Sequence, residues 1–250
     1  MGFINNMNTV VIGDIHGRSL WKKIIEQEQP NRVIFIGDYF DSFNISGLDQ
    51  IHNFKEIIEY KKLNPNMEVV MLIGNHDYHY FQGIGNRGTS GFQRNLFFSI
   101  NQVIEENKTH MQLSYKMGNI LFTHAGVSSA FMDCVARNIW DIRSISDMLN
   151  DVFKYRPLTF DFGKYANEYT DGTGDDIYQS PIWIRPQSLI HSNKDTQLEE
   201  KLIQIVGHTS FNEIKTIDGK YWFIDCLHSE TPQYLLINSK HEIFIKNLIL

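Results

Sequence analysis

Short apolar runs alternate with amphipathic stretches in the first half of the chain. The runs lie at 9–12, 32–36 and 68–73, and the stretches with helical spacing lie at 19–29, 48–63 and 94–106. Continuous apolar strands that alternate with helices are typical of a sheet buried on both faces and at least partly parallel. The pattern therefore predicts an α/β fold in which ligands bind at the carboxyl ends of strands.

The second half of the chain favours antiparallel pairing. Segments 111–116 and 120–123, separated by a Met-Gly-Asn turn, predict a hairpin, and 128–155 predicts one or two helices. Two more hairpins are predicted in a β-rich final third. Residues 156–181 are rich in Gly, Asp, Asn and Tyr without a clear period, which predicts a long loop or cap within a single domain spanning 1–250.

The composition narrows the functional classes. The chain has 250 residues, is 42% hydrophobic and carries a formal net charge of −6, which disfavours general nucleic-acid binding. Cys134 and Cys226 are far apart, which excludes a disulfide framework and a cysteine zinc site and fits a reducing, cytoplasmic compartment. Apolar runs are much shorter than the roughly 18 residues that span a bilayer, so no membrane partner is expected.

Polar side chains within two residues of a glycine follow five of the predicted strands. They are Asp14, His16, Asp38, Asn75, His124 and His208. A lone Asp or His at a strand end is more often a cap or a structural hydrogen-bonding group, but here the arrangement repeats. Carboxylate, amide and imidazole ligands suit borderline or hard divalent ions. Six ligands are too many for one open catalytic ion and predict two ions about 3.5 to 4 Å apart, which suits in-line displacement at phosphorus.

The same strand ends carry five ordered motifs that resemble those of calcineurin-like metallophosphoesterases. They are GDIHG at 13–17, GDYFD at 37–41, GNHD at 74–77, THAG at 123–126 and GHTS at 207–210. GHTS lacks a second His two residues on, and so is more similar to the serine/threonine phosphatase and bacteriophage or bacterial phosphatase branch than to the nuclease branch. The resemblance implies a mixed α/β (α+β) fold, a four-layer αββα sandwich of two mixed β-sheets flanked by helices.

The resemblance also implies a role for each motif residue. Asp14 and His16 would hold the first ion, Asp38 would bridge, and Asn75, which would also contact substrate, would hold the second ion with His124 and His208. A hydroxide bridging the ions would attack phosphorus in line. His76 matches the family's general acid and Asp41 the carboxylate that orients it; positioned proton donation contributes about 100- to 10,000-fold. Manganese is the expected metal, with iron, zinc, nickel or cobalt as alternatives.

The chain departs from the phosphatase pattern after Asp41. Ser42 and Phe43 stand where Arg-Gly is expected, so one phosphate-binding guanidinium is missing. The segment 182–186 is similar to the Trp-x-Arg segment before the last His motif of phage and bacterial phosphatases, which makes Arg185 the candidate phosphate ligand. A surface arginine beside a turn-forming proline explains the same residues equally well.

These features together predict a dinuclear-metal-dependent enzyme that hydrolyses phosphomonoesters. Its substrate would be a phosphoprotein, carrying phosphoserine or phosphothreonine, or a small phosphorylated molecule. A phosphodiesterase or dinucleoside polyphosphate hydrolase is the alternative, because the same ions serve either reaction. A non-catalytic interaction scaffold is a third hypothesis, which the presence of all six ligands and His76 disfavours. The sequence leaves the oligomeric state open.

Overall fold

A computed structural model describes residues 7–84, 90–137, 139–166 and 175–249. Within these residues the strands are β1 (Thr9–Ile12), β2 (Arg32–Phe35), β3 (Glu68–Leu72), β4 (Met111–Gln112), β5 (Ser114–Met117), β6 (Ile120–Thr123), β7 (Ile203–Val206), β8 (Lys215–Ile217), β9 (Tyr221–Phe223), β10 (Gln233–Ile237) and β11 (Ile243–Asn247). The helices are α1 (Leu20–Glu28), α2 (Gly47–Leu63), α3 (Asn75–Tyr78), α4 (Phe97–Asn107), α5 (Ser129–Ala136), α6 (Ile145–Tyr155), α7 (Pro186–Asn193) and α8 (Gln197–Lys201).

The strands form two mixed sheets. The first has the order β11-β10-β1-β2-β3-β4, and β1 to β4 run parallel to one another. The terminal hairpin of β10 and β11 extends this sheet, because β10 pairs antiparallel with β1 and places Leu236 opposite Val10. The second sheet has the order β5-β6-β7-β9-β8, with parallel pairs inside and antiparallel strands at both edges.

Alternate side chains of the first sheet enter two different cores. Val11 packs between the sheets in the same cluster as Phe122 of the second sheet, whereas Val10 faces the helices that cover the outer side. On the far side of the second sheet, Val206 packs in one cluster with Leu189 of α7. The order of layers is helix, sheet, sheet, helix, so the predicted αββα sandwich is confirmed.

The predicted hairpin of 111–116 with 120–123 is wrong in its first arm. That segment divides into β4, which extends the first sheet, and β5, which pairs with β6 in the second. Leu113 lies between them, fully buried, and its backbone N–H donates to Asn150 Oδ1 at 2.9 Å. The chain therefore crosses from one sheet to the other at this residue, a change that strand periodicity does not reveal.

The sequence pattern does not predict three short helices or the detailed structure of the loop at 156–181. Helices α3, α7 and α8 were missed; α7 starts with Pro186 at its first position, where a proline's missing N–H costs nothing. In the 156–181 segment, Pro157–Phe160 forms a 3₁₀ turn and buries Phe160, while 167–174 lies outside the described residues. No helix among the described residues is long and apolar enough to cross a bilayer.

Candidate metal centre

The predicted ligands meet at the carboxyl ends of β1, β2, β3, β6 and β7, where the chain turns sharply. His16, Asp38, Asp41 and His208 have φ angles of 41°, 51°, 63° and 63°. Non-glycine residues rarely adopt this left-handed conformation, which costs of order 1–3 kcal/mol and persists only where the surroundings enforce it. The strained turns point polar side chains into one common space.

Two motif glycines make this convergence possible. A Cβ at Gly74 would collide with Asp38 Oδ1, and a Cβ at Gly207 would collide with Asp14 Oδ1. Each carboxylate therefore lies directly against the backbone of a neighbouring strand end. This close approach explains in physical terms why glycine precedes the ligand in GNHD and GHTS.

Asp14, Asp38 and His124 form the centre of the site. Each is buried, and one ligand atom from each lies within 4.8 Å of the others. His124 Nε2 is 3.3 Å from Asp38 Oδ2, and Asp14 accepts a 3.0 Å hydrogen bond from the backbone N–H of His208. These side chains form a candidate metal-binding group.

The three predicted imidazole ligands are each oriented by a backbone carbonyl. His16 Nδ1 and His124 Nδ1 donate to carbonyl oxygens at 2.6 and 3.0 Å, and His208 Nε2 donates to the Trp183 carbonyl at 3.0 Å. The opposite nitrogens point inward, with His16 Nε2 3.7 Å from Asp38 Oδ2. Burial lowers the pKa of both His16 and His208, which favours the neutral form that binds metal.

Asn75 supplies an oxygen at the same place. Its Oδ1 lies 2.9 Å from His124 Nε2 and 2.8 Å from His208 Nδ1. In the neutral form of each histidine the opposite ring nitrogen carries the proton, so the inward nitrogens present lone pairs and three acceptors converge. A cation between them would reconcile the arrangement, and nitrogen and oxygen donors without sulfur suit borderline or hard divalent ions. The donor set therefore fits the predicted metal.

The electrostatics of the buried acids also fit a cation. Burial raises the pKa of Asp14, and the neighbouring carboxylate of Asp225 raises it further. Burial alone would raise the pKa of Asp38 and lower that of His124, but their mutual attraction dominates. The pKa of Asp38 falls well below its usual range, and that of His124 rises to about 9. A divalent ion competes for these groups, so its binding releases protons.

His76 and Asp41 form a pair beside this group. His76 Nδ1 donates to Asp41 Oδ2 at 3.0 Å, and the His76 backbone N–H donates to Asp38 Oδ1 at 2.9 Å. Burial disfavours charge on the imidazole, but Asp38 and the hydrogen-bonded Asp41 outweigh it and raise the pKa of His76 to about 9. The structure thus brings both predicted catalytic residues next to the candidate metal-binding group.

Asp77, for which the sequence predicts no role, fixes the loop that carries Asp38. Asp77 Oδ2 accepts the backbone N–H groups of Asp38 and Gly74 at 2.8 Å each, and Oδ1 accepts that of Tyr39 at 2.7 Å. Burial and the charge of Asp38 raise the pKa of Asp77 to about 8. Its position inside the GNHD motif is the sequence signal that could have indicated this role.

Asp225, which follows β9, was not predicted as a site residue either. It is a further polar residue at the end of a strand, and this position could have revealed it.

Arg185 lies at the edge of the site. Its Nη1 donates to the His208 carbonyl at 3.4 Å and to Thr209 Oγ1 at 3.3 Å. Burial lowers the pKa of the guanidinium, opposed by Asp175, Asp38 and other carboxylates. The side chain is therefore half-buried within the field of the site's carboxylates rather than free on the surface, and its contact with phosphate remains a prediction.

The departure from Arg-Gly after Asp41 creates a local turn. Ser42 Oγ accepts two backbone N–H groups of the following loop at 3.3 Å each. Phe43 is 78% exposed, so its ring adds little to the core. The serine hydroxyl is thus committed to shaping the loop, and the position supplies no guanidinium to the site.

Comparison with known proteins places the chain among phosphoesterases. The profile of the calcineurin-like phosphoesterase family matches residues 7–209. No curated protein sequence matches the chain significantly. The cold-active protein-tyrosine phosphatase of the psychrophile Shewanella sp. has a TM-score of 0.63 at 15% identity, covering 97% of this chain and 80% of that one. A protein serine/threonine phosphatase from Saccharomyces cerevisiae has a TM-score of 0.55 at 14% identity, covering 99% and 81%. At such identities the likeness shows a shared fold.

Proposed function

Because the chain belongs to the calcineurin-like phosphoesterase family, a family of dinuclear metal-dependent hydrolases, we propose that it hydrolyses phosphomonoesters of serine or threonine in proteins. The hydrogen-bonded pair of His76 and Asp41 beside Asp38 carries this proposal. An alkoxide is a poor leaving group at neutral pH, so cleavage of an alkyl monoester benefits strongly from a positioned proton donor. Both structural neighbours are described as protein phosphatases, which supports a phosphoprotein substrate.

The predicted site residues divide into metal ligands, a proton donor with the carboxylate that orients it, and substrate-binding groups. Asp14, His16, Asp38, Asn75, His124 and His208 would hold two divalent ions, and manganese is the metal that we propose among the borderline or hard divalent ions. When bound, the ions supply Lewis-acid polarisation of the phosphoryl group and an activated water. His76 donates a proton from Nε2 to the leaving oxygen, while Asp41 holds Nδ1. Arg185 binds a phosphoryl oxygen, and Asn75 also faces the substrate.

The cellular setting is proposed on two observations. Cys134 and Cys226 are both free thiols, which supports a reducing, cytoplasmic compartment. The net charge of −6 disfavours general nucleic acid as the partner.

A substrate panel tests the proposal. We expect manganese-dependent phosphate release from a phosphoserine peptide and from an aryl monoester, with a bis-aryl diester and a dinucleoside tetraphosphate at least about 10-fold slower. The chelated protein provides the baseline. Faster turnover of the diester or of the tetraphosphate would contradict the proposal and support the alternative hydrolase. Tight manganese binding without turnover of any of the four would support a non-catalytic scaffold.

A further inference from the structure

The two oxygens of Asp41 have different partners. Oδ2 faces His76 Nδ1, whereas Oδ1 accepts the hydroxyl of Tyr80 at 2.5 Å and Nε2 of Gln93 at 3.3 Å. Asp41 itself is 1% exposed, so protein groups rather than bulk water set its orientation. The carboxylate is therefore held by hydrogen bonds to Oδ1, the oxygen that does not face the imidazole. Tyr80 lies outside the five motifs, and no role for it follows from them.

The direction of the Tyr80 hydroxyl bond is determined by its surroundings. The backbone N–H of Gln93 donates to the hydroxyl oxygen at 2.9 Å, which directs the hydroxyl's own proton toward Asp41. Burial and the charge of Asp41 raise the pKa of Tyr80, so the hydroxyl keeps this proton at any physiological pH. A hydrogen bond from a neutral donor to a carboxylate is stronger than one between neutral groups.

The Tyr80 ring is locked by packing. Phe92 stacks on it with a centroid distance of 4.9 Å and an interplanar angle of 11°. Phe40 and Phe97 contact it at centroid distances of 5.9 and 6.0 Å. Because the ring has no freedom to move away, the hydroxyl is pre-organised and Asp41 needs no reorganisation during the reaction.

We propose that Tyr80 is a positioning residue for proton donation, acting through Asp41 on His76. The hydroxyl fixes the carboxylate, and the carboxylate holds the imidazole with Nε2 toward the leaving oxygen. In the step concerned, a water-derived hydroxide oxygen forms a bond to phosphorus as the bond from phosphorus to the leaving oxygen breaks. The leaving oxygen keeps the bonding electron pair and takes the proton from His76 Nε2. This inference rests on the proposed function, because it concerns an ester whose leaving group needs a proton.

The test is Tyr80→Phe, measured on two monoesters with manganese. A phosphoserine peptide needs leaving-group protonation, whereas p-nitrophenyl phosphate needs little. We expect kcat on the peptide to fall about 10-fold, the size of one hydrogen bond to a charged group, with KM unchanged and less than about twofold loss on the nitrophenyl ester. Tyr234→Phe is the matched control, because that hydroxyl also donates to a carboxylate, Glu28, and is expected to leave both rates unchanged.

A double mutant separates positioning from structural damage. If Tyr80 acts through Asp41, Tyr80→Phe causes no further loss in an Asp41→Asn background, because the affected pair is already broken. Equal losses on both esters, no loss on the peptide, or additive losses in the double mutant would overturn the inference. Wild-type protein that hydrolyses neither ester would instead overturn the proposed function, and the role of Tyr80 with it.

Discussion

The metal-ligand side and the substrate side of the site are built in different ways. On the ligand side, which comprises the six predicted metal ligands, carbonyls orient the imidazoles and left-handed turns aim the side chains. On the substrate side, defined by Arg185, Ser42 and Phe43, the guanidinium makes two contacts of 3.3 to 3.4 Å and the phenyl ring is 78% exposed. Backbone groups therefore fix the orientation of the predicted metal ligands, whereas the side chains proposed to bind substrate have longer contacts or are exposed.

The largest expected effect is on the ligand side, from His124→Ala. Mutation of a residue that only hydrogen-bonds to a metal ligand lowers metal affinity or activity by about 10- to 100-fold. Loss of a fully buried predicted ligand nitrogen is therefore expected to lower the rate of manganese-supported hydrolysis of an aryl phosphate by more than about 100-fold. His52→Ala removes an exposed imidazole on α2 and is expected to change nothing. Retained activity in His124→Ala would show that the ligand side is not where the ions act.

Asp77→Asn tests whether the ligand side depends on the three backbone hydrogen bonds that Asp77 accepts. The substitution places an amide donor against one or more of three backbone N–H donors, and a buried donor left without an acceptor costs about 1–3 kcal/mol. We expect the free energy of unfolding, from urea titration, to fall by that amount. Asp147→Asn, at an exposed first-turn position of α6, is the control. Unchanged stability in Asp77→Asn would show that the hydrogen bonds accepted by Asp77 do not stabilise the fold.

His79 predicts a pH dependence of stability. Its ring is buried, both nitrogens lack hydrogen-bond partners among the described residues, and burial, aided by the charge of His76, lowers its pKa to about 4. Below about pH 6.5 the unfolded chain binds a proton that the folded protein excludes, so stability falls as the pH drops toward 4. Between pH 7.5 and 5 this amounts to about 2 kcal/mol.

His79→Phe isolates this contribution, because other groups titrate equally in both proteins. Urea unfolding at pH 7.5 and 5 is expected to show a smaller pH-dependent loss for the variant, by about 2 kcal/mol. The same loss in both proteins would show that His79 is accessible to protons in the folded state.

The smallest expected effect is on the substrate side, from Arg185→Ala. Loss of a charged hydrogen bond to phosphate is expected to lower kcat/KM by about 10-fold, while manganese affinity stays unchanged. Arg185→Lys keeps the charge without the guanidinium fork, so we expect partial recovery. Unchanged kcat/KM in the alanine variant would leave Arg185 as a structural residue and the substrate side without an identified phosphate ligand.

Features encoded within a few residues could be predicted from the sequence, whereas features that depend on distant contacts could not. The αββα fold was implied by the resemblance of the motifs to those of a known family. The clustering of the predicted ligands followed from the motifs themselves, because each combines a strand end, a glycine and a predicted ligand within a few residues. The crossing at Leu113 was missed, since the pattern is continuous while the partner strands change. Asp77, Tyr80 and Asp225 were missed because their roles depend on contacts with residues far along the chain.

Anomalous X-ray diffraction from crystals grown with manganese distinguishes a dinuclear centre from the alternatives. We expect two anomalous peaks about 3.5 to 4 Å apart, the spacing of two-metal sites, on either side of Asp38. Asp14 and His16 should lie beside one peak, and Asn75, His124 and His208 beside the other. No peak at Asp38, or a single peak there with the second group of ligands empty, would contradict a dinuclear centre.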